Sequence, residues 1–120
     1  MASSNHFISL QEAVQLTSKC RSEKTNIMKS EYQDRGIIST CETFDRQCLD
    51  ILLRQQGCMG VRIYSGMDDN LKLKVVIVGV DADNKDMLPS SLTALDEENN
   101  IIEQGLPCPP TCPPPSPLNE

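Results

Sequence analysis

The sequence predicts an α+β fold: two helices packed on a small antiparallel sheet built around a β-hairpin, followed by a proline-rich C-terminal tail. Three observations lead there. Two segments before residue 57 carry helical hydrophobic period, an alternating then continuously apolar ribbon covers 59–80, and seven of the eleven residues from Pro107 to Pro117 are proline. Leu, Ile, Val and Phe together make up 29 of 120 residues, above the ~20% level below which disorder is the default. One modest aliphatic core is therefore expected.

The first helix is predicted over about 9–22. Ser9 and Glu12 fit a capping box, in which the serine hydroxyl accepts from the amide three residues on and the carboxylate returns to the serine amide. Leu10, Ala13, Val14, Thr17 and Cys20 then share one face, opposite Gln11, Gln15 and Lys19. On this reading Cys20 is a small core residue. Residues 22–35 are polar and undecided, and Gly36 ends whatever helix precedes it.

A second helix is predicted over about 43–56. Phe44, Cys48, Ile51 and Leu52 line one stripe, Leu49 and Leu53 widen it, and Gly57 stands where a left-handed cap belongs.

The hairpin over about 59–80 is the strongest local signal. Val61 and Ile63 alternate with Arg62 and Tyr64, the stretch Met67-Asp68-Asp69-Asn70 supplies turn chemistry, and a second strand runs from Leu71 to Val80. That strand changes character partway. Val75-Val76-Ile77-Val78 is apolar on both faces, which requires cover on both. Asp81 to Asp86 forms another turn, so Asp86-Met87-Leu88 is a candidate returning strand, stopped by Pro89. Residues 1–88 form the predicted core and 89–120 the acidic, proline-rich segment. Within the latter, Leu92, Leu95, Ile101 and Ile102 permit a helical turn or an edge strand. The prolines beyond 107, lacking amide donors, predict extended polyproline II or an irregular clamp.

Charge and cysteine content exclude several functions. The formal net charge is −6, and all of it arises from residues 86–120, which contain six acids and no base. No Lys/Arg cluster opposes phosphate and no aromatic platform offers stacking, which disfavours nucleic acid and anionic lipid surfaces. No apolar window reaches the ~18 residues of a membrane span. The N-terminal residues lack the basic-then-apolar pattern of a signal peptide, so the expected location is cytoplasmic. In such a compartment the six cysteines are expected as free thiols.

The segments Gly57 to Tyr64, Val76-Val78-Gly79-Val80-Asp81 with Asp86-Met87, and Cys108-Pro109-Pro110-Thr111-Cys112-Pro113 through Leu118 together resemble a group of short uncharacterised bacterial proteins. The resemblance covers about the second half of the chain and rests on the order of these pieces. It implies a cytoplasmic bacterial protein and brings no catalytic chemistry. Where comparable members carry Gly in the turn after the second strand, this chain has Asn84, which still tolerates a positive φ.

Cys108 and Cys112, four residues apart in a proline-stiffened loop, are candidate ligands of a tetrahedral zinc with Cys58, and with Cys41 or His6 completing the set. Zinc knuckles favour two intervening residues, however, and the ligands are scattered. Thiol redox chemistry is the neighbouring alternative, without the helix N-terminus that lowers thiol pKa. The blander expectation is a docked tail or a recognition element, with Pro109, Pro110 and Pro113 as partner contacts. Arg62 and Tyr64, on the strand face expected to meet water, are further candidate partner residues. Asp81, Asp83 and Asp86 match a calcium loop only loosely and are expected in a solvated turn. His6 is expected at the surface. No nucleophile elbow, phosphate loop or paired carboxylates appear.

These readings point to a small non-enzymatic interaction or assembly protein, with a protein partner or self-association covering what a chain this short leaves exposed. The alternative is a zinc-binding or thiol-redox protein using Cys108, Cys112 and Cys58.

Overall fold

A computed structural model describes residues 5–89 and 101–120. The chain is α+β. In order, helix α1 spans Leu10–Glu23, strand β1 Cys41–Thr43, helix α2 Arg46–Leu53, β2 Gly60–Met67, β3 Leu73–Val80, β4 Asp86–Met87, β5 Ile101–Ile102 and β6 Leu106–Cys108, with one 3-10 turn at Ser30–Tyr32. The expectation for Leu92 and Leu95 lies outside the described residues.

The principal sheet is antiparallel and centred on β3. Its first edge pairs throughout with β2, in register from Gly60 opposite Val80 to Met67 opposite Leu73. Its second edge is filled piecewise. The Leu73 amide donates to the Ile37 carbonyl at 2.8 Å, Ile77 and Val78 pair with Ile102 and Ile101 of β5, and Gly79 and Val80 pair with Met87 and Asp86 of β4. Because β3 is paired on both edges, its residues lose water from the sides as well as from the faces. Val78 (2% exposed), Val80 (1%) and Ile77 are buried together with Leu52 of α2 (0%), whereas Val75 and Val76 are half-buried. The ribbon expected to be shielded on both faces is so from Ile77 onward.

One five-residue turn serves both ends of β3. In Asp68–Lys72 the aspartate Oδ1 accepts from the amides of Asn70 (2.8 Å) and Lys72 (3.0 Å), and in Asp81–Lys85 it accepts from those of Asp83 (2.9 Å) and Lys85 (3.0 Å). Each aspartate amide donates to the lysine carbonyl, and each turn has a left-handed fourth residue, Leu71 and Asn84, both at φ 64°. The aspartate supplies the fold-back that backbone groups alone leave unsatisfied. Asp81 thus closes the turn between β3 and β4, whereas Asp86, expected in the same solvated turn, lies beyond it in β4 and is half-buried.

α2 is shorter than the predicted 43–56 and begins at Arg46, because Asp45 is the cap: its Oδ1 accepts from the Cys48 amide at 2.9 Å. The residues before it form β1, paired antiparallel with β6. Gly57 is left-handed (φ 88°) but lies past the helix end at Leu53. α2 packs on β3. The end of this segment approaches closely at Gly79, where a Cβ would meet Gln55 Nε2 at 3.0 Å and Cys58 Sγ at 3.1 Å.

α1 starts as expected, with Ser9 Oγ accepting from the Glu12 amide at 3.0 Å, although the hydroxyl and the Glu12 carboxylate bond each other instead of closing the second half of the box. Its apolar stripe is not a core face. No residue of α1 is buried, Leu10 is 63% exposed, and Cys20, expected in the core, is exposed. The stripe is built mostly of small residues, which bury little apolar area. α1 instead holds the tail, as Arg21 donates to the carbonyls of Leu118 (2.5 Å) and Glu120, while Lys24, the residue after the helix, donates to the Ile38 carbonyl at 3.1 Å.

The tail is more ordered than a polyproline segment. Leu106–Cys108 pairs with β1 in a two-stranded sheet, Pro107 included. In a two-stranded ladder each strand has an outward edge, so proline's missing amide need not cost a bond. The following turn is closed by the Thr111 amide donating to Pro107 at 2.9 Å, with cis peptides at Cys108-Pro109 and Pro109-Pro110.

Candidate functional site

β2 is the outer strand of the principal sheet, eight residues long, and among the described residues only its inner edge is paired. The Asp68 amide donates to the Lys72 carbonyl, which sets the parity of the ladder. Counting back in twos, the amides of even residues from Gly66 to Gly60 face β3, and those of Val61, Ile63, Ser65 and Met67 point to the open edge.

The side chains of those same odd residues share one face with Leu73, Val75, Ile77 and Gly79, by the alternation of the pleat. α2 covers this face over β3 and stops short of β2. Ile63 is therefore 62% exposed, Met67 57% and Val61 43%. Alternation suggested that Val61 and Ile63 point inward and Arg62 outward. The alternation is right, but the exposures are the reverse, since Arg62 is less exposed than either neighbour. Val61 also lies opposite Gly79, which offers it no side chain.

On the other face Arg62, Tyr64, Asn84 and Asp86 form one network. Arg62 donates to one Asp86 carboxylate oxygen and to Asn84 Oδ1 (2.5 Å), and the Tyr64 hydroxyl donates to the other Asp86 oxygen. The Tyr64 hydroxyl and then the Arg62 guanidinium hold the Asp86 carboxyl below its ordinary range. The same carboxylate raises the pKa of Arg62 and of Tyr64. The two candidate partner residues are thus brought together, with much of their bonding capacity spent inside the chain.

The cysteines separate into different places. Cys108 and Cys112 are joined by a disulfide, correcting the expectation of free thiols at these positions; Cys20, Cys41, Cys48 and Cys58 are free. Cys58 lies under the hairpin instead, its thiol donating to the Gly60 carbonyl at 3.3 Å and facing Gly79. Sulfurs bonded to each other do not act as thiolate ligands, and among the described residues no three His, Cys, Asp or Glu side chains are gathered to hold a metal. The residue that does stand beside the bridge is Cys41, directly opposite Cys108 in the β1–β6 ladder. Pro109, Pro110 and Pro113 are exposed, and His6 is at the surface.

Two concavities flank these features. A groove of about 520 Å³ runs between α2 and β5–β6, lined by Phe44, Cys48, Ile51, Ile101, Ile102 and Leu106. A cleft of about 360 Å³ lies between α1, β1 and the tail, with Thr17, Thr40, Cys41, Pro113 and Leu118 on its walls. No helix among the described residues is long and apolar enough to cross a membrane.

No family model, curated protein or solved structure matches this chain.

Proposed function

We propose that this chain is a small non-enzymatic interaction or assembly protein whose partner is a second copy of itself, joined edge to edge through β2. The observation that carries this reading is the eight-residue outer edge of β2, open among the described residues, beside exposed Val61, Ile63 and Met67. An unpaired strand edge flanked by apolar side chains is a template for another strand.

The strand is self-complementary. With an antiparallel copy centred on a two-fold axis at Ile63, Ile63 meets its equivalent, Val61 meets Ser65 and Arg62 meets Tyr64. The outward amides of Val61, Ile63 and Ser65 all find carbonyls in that register, and no two like charges oppose each other. The apolar stripes of both copies become one continuous face. A cytoplasmic location belongs to the same proposal, as does kinship with short bacterial proteins. In that compartment the Cys108–Cys112 bridge would be a transient one.

Light scattering on the native chain tests the proposal. The expected particle is twice 13.3 kDa, and Ile63→Lys, which places a charge at the centre of the edge, returns it to one chain. A native particle of one chain at every concentration overturns it.

A further inference from the structure

We propose that Cys41, Cys108 and Cys112 form a thiol–disulfide exchange site in which Cys108 is the shared sulfur and Cys41 the attacking thiol. The site lies in the β1–β6 sheet, apart from the β2 edge, so it stands or falls independently of self-association.

Register carries the first step. Cys41 and Cys108 are direct partners across an antiparallel pair, which places their side chains on one face with Cα atoms about 4.5–5.5 Å apart. A disulfide requires about 4.4–6.8 Å. Cys112 satisfies the same requirement from the other side, its Cα 4.6 Å from that of Cys108. Cys108 therefore has two cysteines at bridging distance and is bonded to one.

Exposure gives the exchange a direction. Cys108 is buried, Cys112 is exposed, and half-buried Cys41 opens on the cleft between α1 and the tail beside Thr40 and Pro113. The Cys41 thiol loses its proton to water, and its thiolate attacks Cys108 Sγ. The Cys41–Cys108 bond forms as the Cys108–Cys112 bond breaks, and the departing electron pair leaves on Cys112 Sγ, which takes a proton from water. One disulfide and one thiol stand on each side of the step, so no external oxidant or reductant enters. Departure from the exposed sulfur is favoured because water solvates the leaving thiolate. The product presents Cys112 as an exposed thiol on a proline-lined loop, open to reaction with a small disulfide, while the bridge moves inside the two-stranded sheet.

Peptide mapping of unreduced, folded protein after labelling with N-ethylmaleimide tests this. The expected result is a fraction of molecules with a Cys41–Cys108 linked peptide and labelled Cys112, and at least a tenfold fall in Cys112 labelling in Cys41→Ser. Equal Cys112 labelling in native protein and Cys41→Ser overturns the proposal. The decisive second arm is Cys112→Ser treated with oxidised glutathione. A Cys41–Cys108 bridge is expected there, and separate glutathione adducts or untouched thiols on Cys41 and Cys108 overturn the proposal whatever the fold of Cys41→Ser.

Discussion

Arg62 on β2 and Asp86 on β4 form an ion pair across the strand that separates them. Arg62 lies opposite Val78 and Asp86 opposite Val80, so the guanidinium reaches its carboxylate only by crossing β3 over those two valines. The methylene stem becomes part of the core cover and the charged head remains at its rim. A residue whose sequence position suggests a water-facing contact is thereby part of the shield over the apolar ribbon.

This predicts a graded response to shortening the stem. Arg62→Met keeps the methylenes and loses the ion pair, whereas Arg62→Ala loses both and bares Val78 and Val80. Urea unfolding is expected to place Arg62→Ala below Arg62→Met, and both below the native chain. Equal midpoints for the two variants would show that the stem covers nothing.

The same network sets the response to acid. Asp86 binds its proton more weakly folded than unfolded, so the unfolded chain takes up that proton first as pH falls. Its contribution is complete above the ordinary carboxylate value of about 4 and is lost below it. Asp68, lowered chiefly by the Lys72 amide, acts in the same window. Unfolding followed between pH 2 and 6 is expected to show Asp86→Asn flatter than the native chain below about pH 4. Tyr64 behaves oppositely: its folded pKa is raised, so its contribution is present below about pH 10 and fades above it.

The two copies of the aspartate turn make a direct comparison possible. Leu71 occupies the left-handed position that Asn84 fills in the second turn, where a side chain like leucine costs about 1–2 kcal/mol. Allowing for lost apolar contact, Leu71→Asn is expected to stabilise by about 0.5–1 kcal/mol, read as a higher urea midpoint at unchanged slope. The exchange Asn84→Leu is expected to destabilise, placing a leucine at the left-handed position and losing the contact with Arg62.

Leu52 is the fully buried side chain that α2 contributes to the core. Leu52→Ala is expected to cost about 2–5 kcal/mol. In a chain with few buried residues this approaches the whole stability of a small domain. Loss of the cooperative thermal transition, followed by circular dichroism, is the expected readout.

Proline separates the two edges of β2. The Ser65 amide points to the open edge, so Ser65→Pro keeps the ladder to β3 and blocks pairing with a second strand. Gly66→Pro removes an amide that faces β3. The first variant is expected to be a folded single chain and the second to lose stability outright. Because each copy carries −6, raising the salt from 0.05 to 0.5 M is expected to tighten self-association of the native chain, by screening repulsion while leaving apolar burial intact.

What was legible in the sequence was local. The Ser9 cap, the hairpin and the doubly covered Ile77–Val80 segment each follow from residues a few positions apart. The orientation of β2 was not legible, because alternation marks two faces without saying how far the short helix α2 extends over one of them. Nor was the pairing of Cys41 with Cys108, which joins residues far apart in the chain and threads proline through a strand. The aspartate turn was readable in hindsight: Asp-x-x-x-Lys occurs at Asp68 and again at Asp81, with different residues between. The Asp45 cap was also readable, and counting Phe44 into the helical stripe obscured it.

Amide hydrogen exchange along β2, measured at low and high protein concentration, tests the edge-to-edge account most directly. The amides of Val61, Ile63 and Ser65 are expected to gain protection as concentration rises, while Arg62 and Tyr64, already bonded to β3, remain protected throughout. Rapid, concentration-independent exchange at Val61, Ile63 and Ser65 would contradict it.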